Sequence, residues 1–194
     1  MANTSATGGY LAPSSTTPAE DDAFEDFIGN VVAGITGLAR SLVRPRWQPK
    51  PPPHPDITTN WCGIGITVIT SDYGAVRIHR PVGDGHDELQ RHETDDLLAS
   101  FYGPQAYSLA SRLRDGLMIG QNREVLRAGS VNILECTRMR TASDLVNERW
   151  VRRVDLEISL RRAVLRSYPI LNVLSAVGSF ETSDGSSQPF TVEN

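Results

Sequence analysis

Lysine is nearly missing from these 194 residues: Lys50 stands alone against eighteen arginines. Arginine stays charged throughout the physiological pH range, and its planar fork holds a carboxylate in fixed geometry. Positive charge carried this way suits rigid ion pairing, although a GC-rich gene would produce the same bias. Cysteine is scarce too. Cys62 and Cys136 cannot by themselves build a disulfide framework or a zinc cage, and they read as reduced thiols in strands. Reduced thiols make cytosolic synthesis the default. No apolar run approaches the ~18–20 residues that cross a bilayer. Met1 to Gly9 has neither the basic n-region nor the apolar h-region of a secretory signal. No membrane partner is expected.

Chemical signatures are also absent. The sequence has no phosphate-cradling G-x-x-x-x-G-K-S/T loop, no G-x-G-x-x-G, no G-x-S-x-G elbow and no H-E-x-x-H. Gly63-Ile64-Gly65 lacks the third glycine and runs into a strand. One dense polar cluster remains: Asp84, His86, Asp87, Glu88, His92, Glu93, Asp95 and Asp96. Carboxylates and imidazoles together can hold a divalent metal, so a metal-dependent enzyme is the rival reading. On a strand, however, His92, Thr94 and Asp96 share one face and Arg91, Glu93 and Asp95 the other. Neither makes a convincing three-ligand set, and Arg91 opposes a cation. The middle of this segment, Arg91 to Asp96, reads as too polar to lie over a core. No catalytic residue, metal ligand or cofactor is assigned.

What the chain does have is asymmetric charge. Residues 1–104 hold seven basic and thirteen acidic residues, whereas residues 105–170 hold twelve and seven. Opposed halves can attract copies of one molecule head to tail, or neutralise each other within it. Nucleic-acid binding by the arginines of 149–166 is blunted by Asp155 and Glu157 and lacks an aromatic platform.

Residues 1–16, rich in Ser, Thr, Gly and Ala, are expected to be mobile. Thr17-Pro18-Ala19-Glu20 has the form of a capping box. Phe24, Phe27, Ile28, Val31, Ile35, Leu38 and Leu42 then mark an amphipathic helix over about 18–41 within a 17–43 segment. A Pro-rich linker, 44–60, follows in an extended form that would detach this helix and free it to dock on a neighbouring subunit. The body, 61–181, opens with a strand from Trp61, a turn at Ser71-Asp72-Tyr73-Gly74 and a returning hairpin strand at Val76–His79. The spacing predicts a long strand over 88–102, a helix over 104–118, a short helix capped by Asn122 and closed by Gly129, and a strand over 131–138. Trp150 to Arg162 is the clearest strand. Val154, Leu156, Ile158 and Leu160 alternate there with Arg153, Asp155, Glu157, Ser159 and Arg161. At ~3.3 Å per residue it runs over 40 Å, about twice the usual length. A last strand over 170–177 and a loose tail, 182–194, complete the expectation. The fold class is α/β (α+β): a mixed, mainly antiparallel sheet with long strands and helices packed against it.

The segments Trp61-Cys62-Gly63-Ile64-Gly65-Ile66-Thr67, Leu89-Gln90-Arg91-His92-Glu93, Ser100-Phe101-Tyr102-Gly103-Pro104, Leu113-Arg114-Asp115-Gly116-Leu117, Gln121-Asn122-Arg123-Glu124, Asn147-Glu148-Arg149-Trp150-Val151-Arg152-Arg153-Val154-Asp155-Leu156 and Tyr168-Pro169-Ile170-Leu171-Asn172 follow in an order that resembles the phage neck (tail) terminator family of tailed bacteriophages. The resemblance spans about residues 47–175. It implies a structural virion protein without catalysis. Six copies would form a ring capping the head-proximal end of the tail tube, with the tail tube protein, the head-completion proteins and the sheath or tail-sheath terminator region as partners. DNA would pass through the channel without sequence-specific binding, past acidic loops such as 84–88. Another neck or head-completion ring component is the alternative. On this reading the long strands exist to be completed by sister molecules. The candidate subunit-interface residues are Arg91, Glu93, Asp95, Arg152, Arg153, Asp155, Glu157 and Arg161. Arg153→Glu should then weaken assembly more than folding.

Overall fold

The structure, a computed structural model, describes residues 3–15, 19–146, 148–173 and 175–193, with no side-chain description at 192 and 193. Its elements are α1 (Asp21–Thr36), a 3-10 turn (Arg40–Leu42), β1 (Val43–Pro45), β2 (Trp61–Ser71), β3 (Val76–Arg80), β4 (His86–Tyr102), α2 (Ala106–Gly116), α3 (Gly120–Ala128), β5 (Val131–Glu135), β6 (Met139–Val146), β7 (Arg149–Tyr168), β8 (Ser175–Glu181) and β9 (Ser187–Glu193). This is the expected α+β class, with long strands in a mixed, mostly antiparallel sheet. The sheet order is β1-β2-β4-β7-β5, with β3 on β4 and β6 on β7, while β8 and β9 pair separately. The chain falls into two compact units. One comprises Pro18–Ala75 and Gln90–Val164; the other comprises Met1–Thr17, Val76–Leu89 and Leu165–Asn194.

In the larger unit, β2 pairs antiparallel with β4 from Trp61↔Tyr102 to Ser71↔Glu93, through a bulge between Ile66 and Val68. Three contacts fix the sense of β4 against β7: Ser159 to Asp96, Arg161 to Thr94, and Gly103 to Arg152. One number rises as the other falls, so these strands are antiparallel too. The other edge of β7 is shared by two strands laid end to end. β6 covers it from Val146↔Arg149 to Met139↔Leu156, and β5 from Glu135↔Ser159 to Val131↔Arg162. Here the structure corrects the sequence reading. Most of the length of β7, Arg149 to Arg162, is covered on this edge by partners from its own chain, because two short strands lie along it. β6 itself had not been anticipated.

The apolar columns of these strands form one core. Cys62 and Ile64 of β2, Leu97, Ala99 and Phe101 of β4, and Val154, Leu156, Ile158 and Leu160 of β7 are all buried in it. Ala106, Leu109, Ala110 and Leu113, on one face of α2, close over them. α1 joins the same core through Phe24, Ile28 and Val32, four residues apart, and lies against α2 and β1. It is therefore not a detached helix awaiting a neighbour. Full burial of each such side chain contributes roughly 1.5–3 kcal/mol. The expected Thr17 cap lies outside the described residues. The observed N-cap is Glu20, without a side-chain cap bond. The helix stops at Thr36 rather than 41 because Gly37, at φ 77°, turns its N–H back to the carbonyl of Ala33. Gly29 has a steric reason: a Cβ there would collide with the Arg40 guanidinium, which bonds Asn30 and Asp26.

The Pro-rich segment also differs from expectation. β1 runs parallel to β2 (Val43↔Cys62 to Pro45↔Ile64), and the Arg46 N–H donates to the Ile64 carbonyl at 2.7 Å. Parallel neighbours need a crossover, and the proline-rich chain beyond β1 supplies one. The cap of α3 is Ile119, not Asn122, whose side-chain amide instead donates to the Gly116 carbonyl.

In the smaller unit, β3 pairs with β4 and not with β2. Alternation identifies a strand but not its partner. Residues 3–15 form no helix or strand, yet the Ser14 N–H reaches the Ser167 carbonyl at 2.7 Å and the Ser5 N–H reaches Pro169 at 3.0 Å. Where a last strand over 170–177 and a loose tail from 182 were expected, residues 170–173 are not strand, and β8 pairs with β9 in a hairpin from Glu181↔Ser187 to Ser175↔Glu193. Asp184-Gly185 makes its turn. The Asp184 carboxylate accepts from the Ser186 N–H and from two hydroxyls, which holds its pKa down at about 2. Phe180 and Phe190 stack across the pair at 4.8 Å.

Candidate assembly surface

β7 presents its polar column as anticipated, but most of those groups already have partners. Arg153 grips Asp155 with two parallel bonds of 2.8 Å and reaches Asp144 at 3.1 Å. The guanidinium, held by these bonds, also sits 5.9 Å from the centre of the Tyr102 ring, which stacks on Trp61 at 4.2 Å. Arg161 donates to Thr94 and pairs with Asp72. Arg91 donates to the Asp72 carbonyl at 2.9 Å. Two of the anticipated β7 residues face outward. Glu157 is held only by Arg138 at 3.6 Å, and Arg152 is exposed with a long 3.3 Å bond to the Pro104 carbonyl.

A second group of charges lies inside. Asp95 is fully enclosed, so the middle of β4 does lie over the core, contrary to the sequence reading. Its counter-charge is Arg162, whose Nε stands 3.0 Å from the carboxylate. The same guanidinium bonds Glu93 at 3.1 Å and the Ala19 carbonyl at 2.9 Å, and covers the Phe24 ring at 4.3 Å. The Nε contact with Asp95 is not aligned as a hydrogen bond, and neither Asp95 oxygen finds one. Desolvation therefore dominates and pushes the Asp95 carboxyl up, with Arg162 opposing. Sequence reasoning missed Arg162, and the signal was available. Arg162 continues the column of Val154 to Leu160, as Asp95 continues that of Leu97 to Phe101. Two opposite charges in two apolar columns announce a buried pair.

Among the described residues, no three His, Cys, Asp or Glu side chains gather as a metal site. Each member of the 84–96 cluster with a partner takes it from elsewhere or from a neighbour in sequence. Asp87 accepts from His79 at 2.7 Å, Glu88 from Arg80 at 2.8 Å, and Asp96 from Ser159 at 2.6 Å. His79 is tied at both ring nitrogens. The Asn172 amide donates to Pro81 and Gly83, which turns its oxygen to His79 Nε2 at 2.9 Å. Two acceptors, Asp87 first, hold the imidazolium and raise its pKa. Both cysteines are free and buried. Burial pushes the Cys136 thiol up to about 11 and Cys62 higher still. Neither is a ready nucleophile.

Sheet edges remain. β1 covers β2 only along Cys62–Ile64, so Gly65 to Ser71 have no strand partner on that side among the described residues. The outer edges of β5 and β6 likewise have no strand partner among the described residues.

Many polar side chains of this fold are tied to one another, and parts of its sheet edge have no strand partner among the described residues. The chain belongs to the phage neck terminator protein family, whose model matches residues 22–185. No curated protein matches it. It is a structural component of the phage neck.

Proposed function

We propose that copies of this chain form a ring, of six subunits, that caps the head-proximal end of the tail tube and joins it to the head-completion proteins. The family membership carries this reading. Unlike surfaces on one subunit support it, because a ring needs head-to-tail contacts. α1 begins with Asp21 and Asp22, whereas Arg138, Arg140, Arg149 and Arg152 outnumber the acids Asp144 and Glu148 from the residue before β6 to the start of β7. The exposed members of the anticipated interface set, Arg152 and Glu157, are the ones that face neighbours. Arg91, Glu93, Asp95, Arg153, Asp155 and Arg161 act one step back, by fixing the strands that present them. The ring leaves a channel for DNA, with polar loops such as 84–88 at its wall. Native mass spectrometry of the purified chain tests the ring directly, and a neck reconstruction tests its place. A discrete closed oligomer at the end of the tube is expected. A monomer missing from purified particles would refute the proposal.

A further inference from the structure

We propose that a second copy of this chain adds the outer edge of its β6 to the open edge of β2, so that the sheet continues from subunit to subunit. This rests on the ring reading and names its contact. The Ile66 N–H is taken by the Glu25 carboxylate, and the stretch beyond it reads Thr67-Val68-Ile69-Thr70-Ser71, with no charge and no proline. Val68 and Ile69 are 51% and 55% exposed. Lone proteins blunt such an edge, because it pairs with any available strand. Alternation shows which groups are on offer. The Asp72 N–H donates to the His92 carbonyl of β4, so the backbones of Ile69 and Ser71 point the other way.

Charge selects the occupant. A cleft of about 660 Å³ runs beside this edge, lined by Ile66 to Ile69 and by Glu20, Asp21 and Glu25 from the start of α1. Asp21, Asp22 and Glu25 have no basic partner among the described residues. Two β2 edges facing each other would bring these carboxylates together. The start of β6 brings the opposite sign, through Arg140 and the preceding Arg138, while Asp144 of β6 is already tied to Arg153. The eight residues of β6 are long enough to span the five, Thr67–Ser71, free on β2. The Glu157 N–H donates to the Arg138 carbonyl, so the backbones of Thr141, Ser143 and Leu145 face outward. Arg140 is exposed and has no carboxylate partner among the described residues, and Arg138 is held only at 3.6 Å. Backbone bonds supply affinity in strand addition, and the flanking charges supply register and choice of partner. Because the two edges differ, each copy both gives and receives, as a closed ring demands.

The test uses the full chain. Ile69→Pro removes an outward N–H from β2, and Ser143→Pro removes one from β6. Circular dichroism and melting confirm that each variant folds. By native mass spectrometry each alone should be monomeric. An equimolar mixture should give a dimer and stop there, since only one good edge of each kind remains. Should proline disturb a strand, Asp22→Arg and Arg140→Asp each should weaken association at least tenfold, and the two together in one chain should restore it. Variants that assemble like the wild type, or a mixture that stays monomeric, overturn the strand-addition contact alone. A wild type that is itself monomeric overturns the ring reading and this contact with it.

Discussion

Arg162 is the side chain whose loss the fold should tolerate least. Its side chain is 9% exposed and that of Asp95 is 0%, with 3.0 Å between the charges. Arg162→Met keeps much of the volume but strands a carboxylate that no hydrogen bond supports. Breaking such a pair from one side costs about 3–5 kcal/mol. A domain of this size holds only about 5–15 kcal/mol in all, so the variant keeps a small margin. The lost stacking on Phe24 adds to the cost. Urea unfolding followed by circular dichroism measures it. Two controls identify the cause. The double variant Arg162→Met/Asp95→Leu removes the enclosed pair and should recover most of the loss, because a matched apolar pair is neutral or better; the part not recovered belongs to Glu93, the Ala19 carbonyl and Phe24, which also lose Arg162. The pH dependence should also change in a defined direction. In the single variant the Asp95 carboxyl lies well above its unfolded value near ~3.9. The folded state then binds the extra proton, and stability relative to wild type recovers as pH falls from 7 toward that unfolded value. A single variant within 1 kcal/mol of wild type, or a deficit that does not change between pH 7 and pH 5, would refute the buried-pair account.

Three further outcomes are expected. Phe24→Ala should cost about 3–5 kcal/mol, since α1 belongs to the core; a loss under 1 kcal/mol in urea would mean that the helix folds apart from the sheet. Asp87→Asn should lower the His79 pKa in an NMR titration. In the wild type the raised value means stabilisation present below the ordinary histidine range near ~6.5 and lost as pH rises through the folded value, and an unmoved titration would dismiss the pairing. Arg153→Glu should reduce melting temperature together with assembly, with a folding cost of about 3 kcal/mol, because it sets an acid against the buried Asp155. An unchanged melting temperature would return Arg153 to a pure interface role.

Much was legible where a local rule met a regular pattern. The alternation from Val154 to Leu160 made β7 visible, and i, i+4 spacing made α1 visible. The β8–β9 hairpin was not read: Asp184-Gly185 sits in a loop of residues 182–186 rather than in a two-residue turn, and the polar residues around it read as tail. Capping was misjudged at α3, where the Asn122 amide goes to the Gly116 carbonyl instead of a helix N–H. The long strands looked unfinished because length alone says nothing of how many partners share an edge.

By itself, the order of apolar and polar residues determined the α+β class, the long strands and the charge asymmetry, because periodicity and sign are properties of neighbours along the chain. The family segments were equally visible there. Only the tertiary structure decided which strands pair, that α1 closes on its own sheet, that Arg162 neutralises Asp95, and which stretches of edge stay open. Those outcomes depend on groups far apart in sequence competing for the same hydrogen bonds and the same buried space, and that competition is settled only when the chain packs.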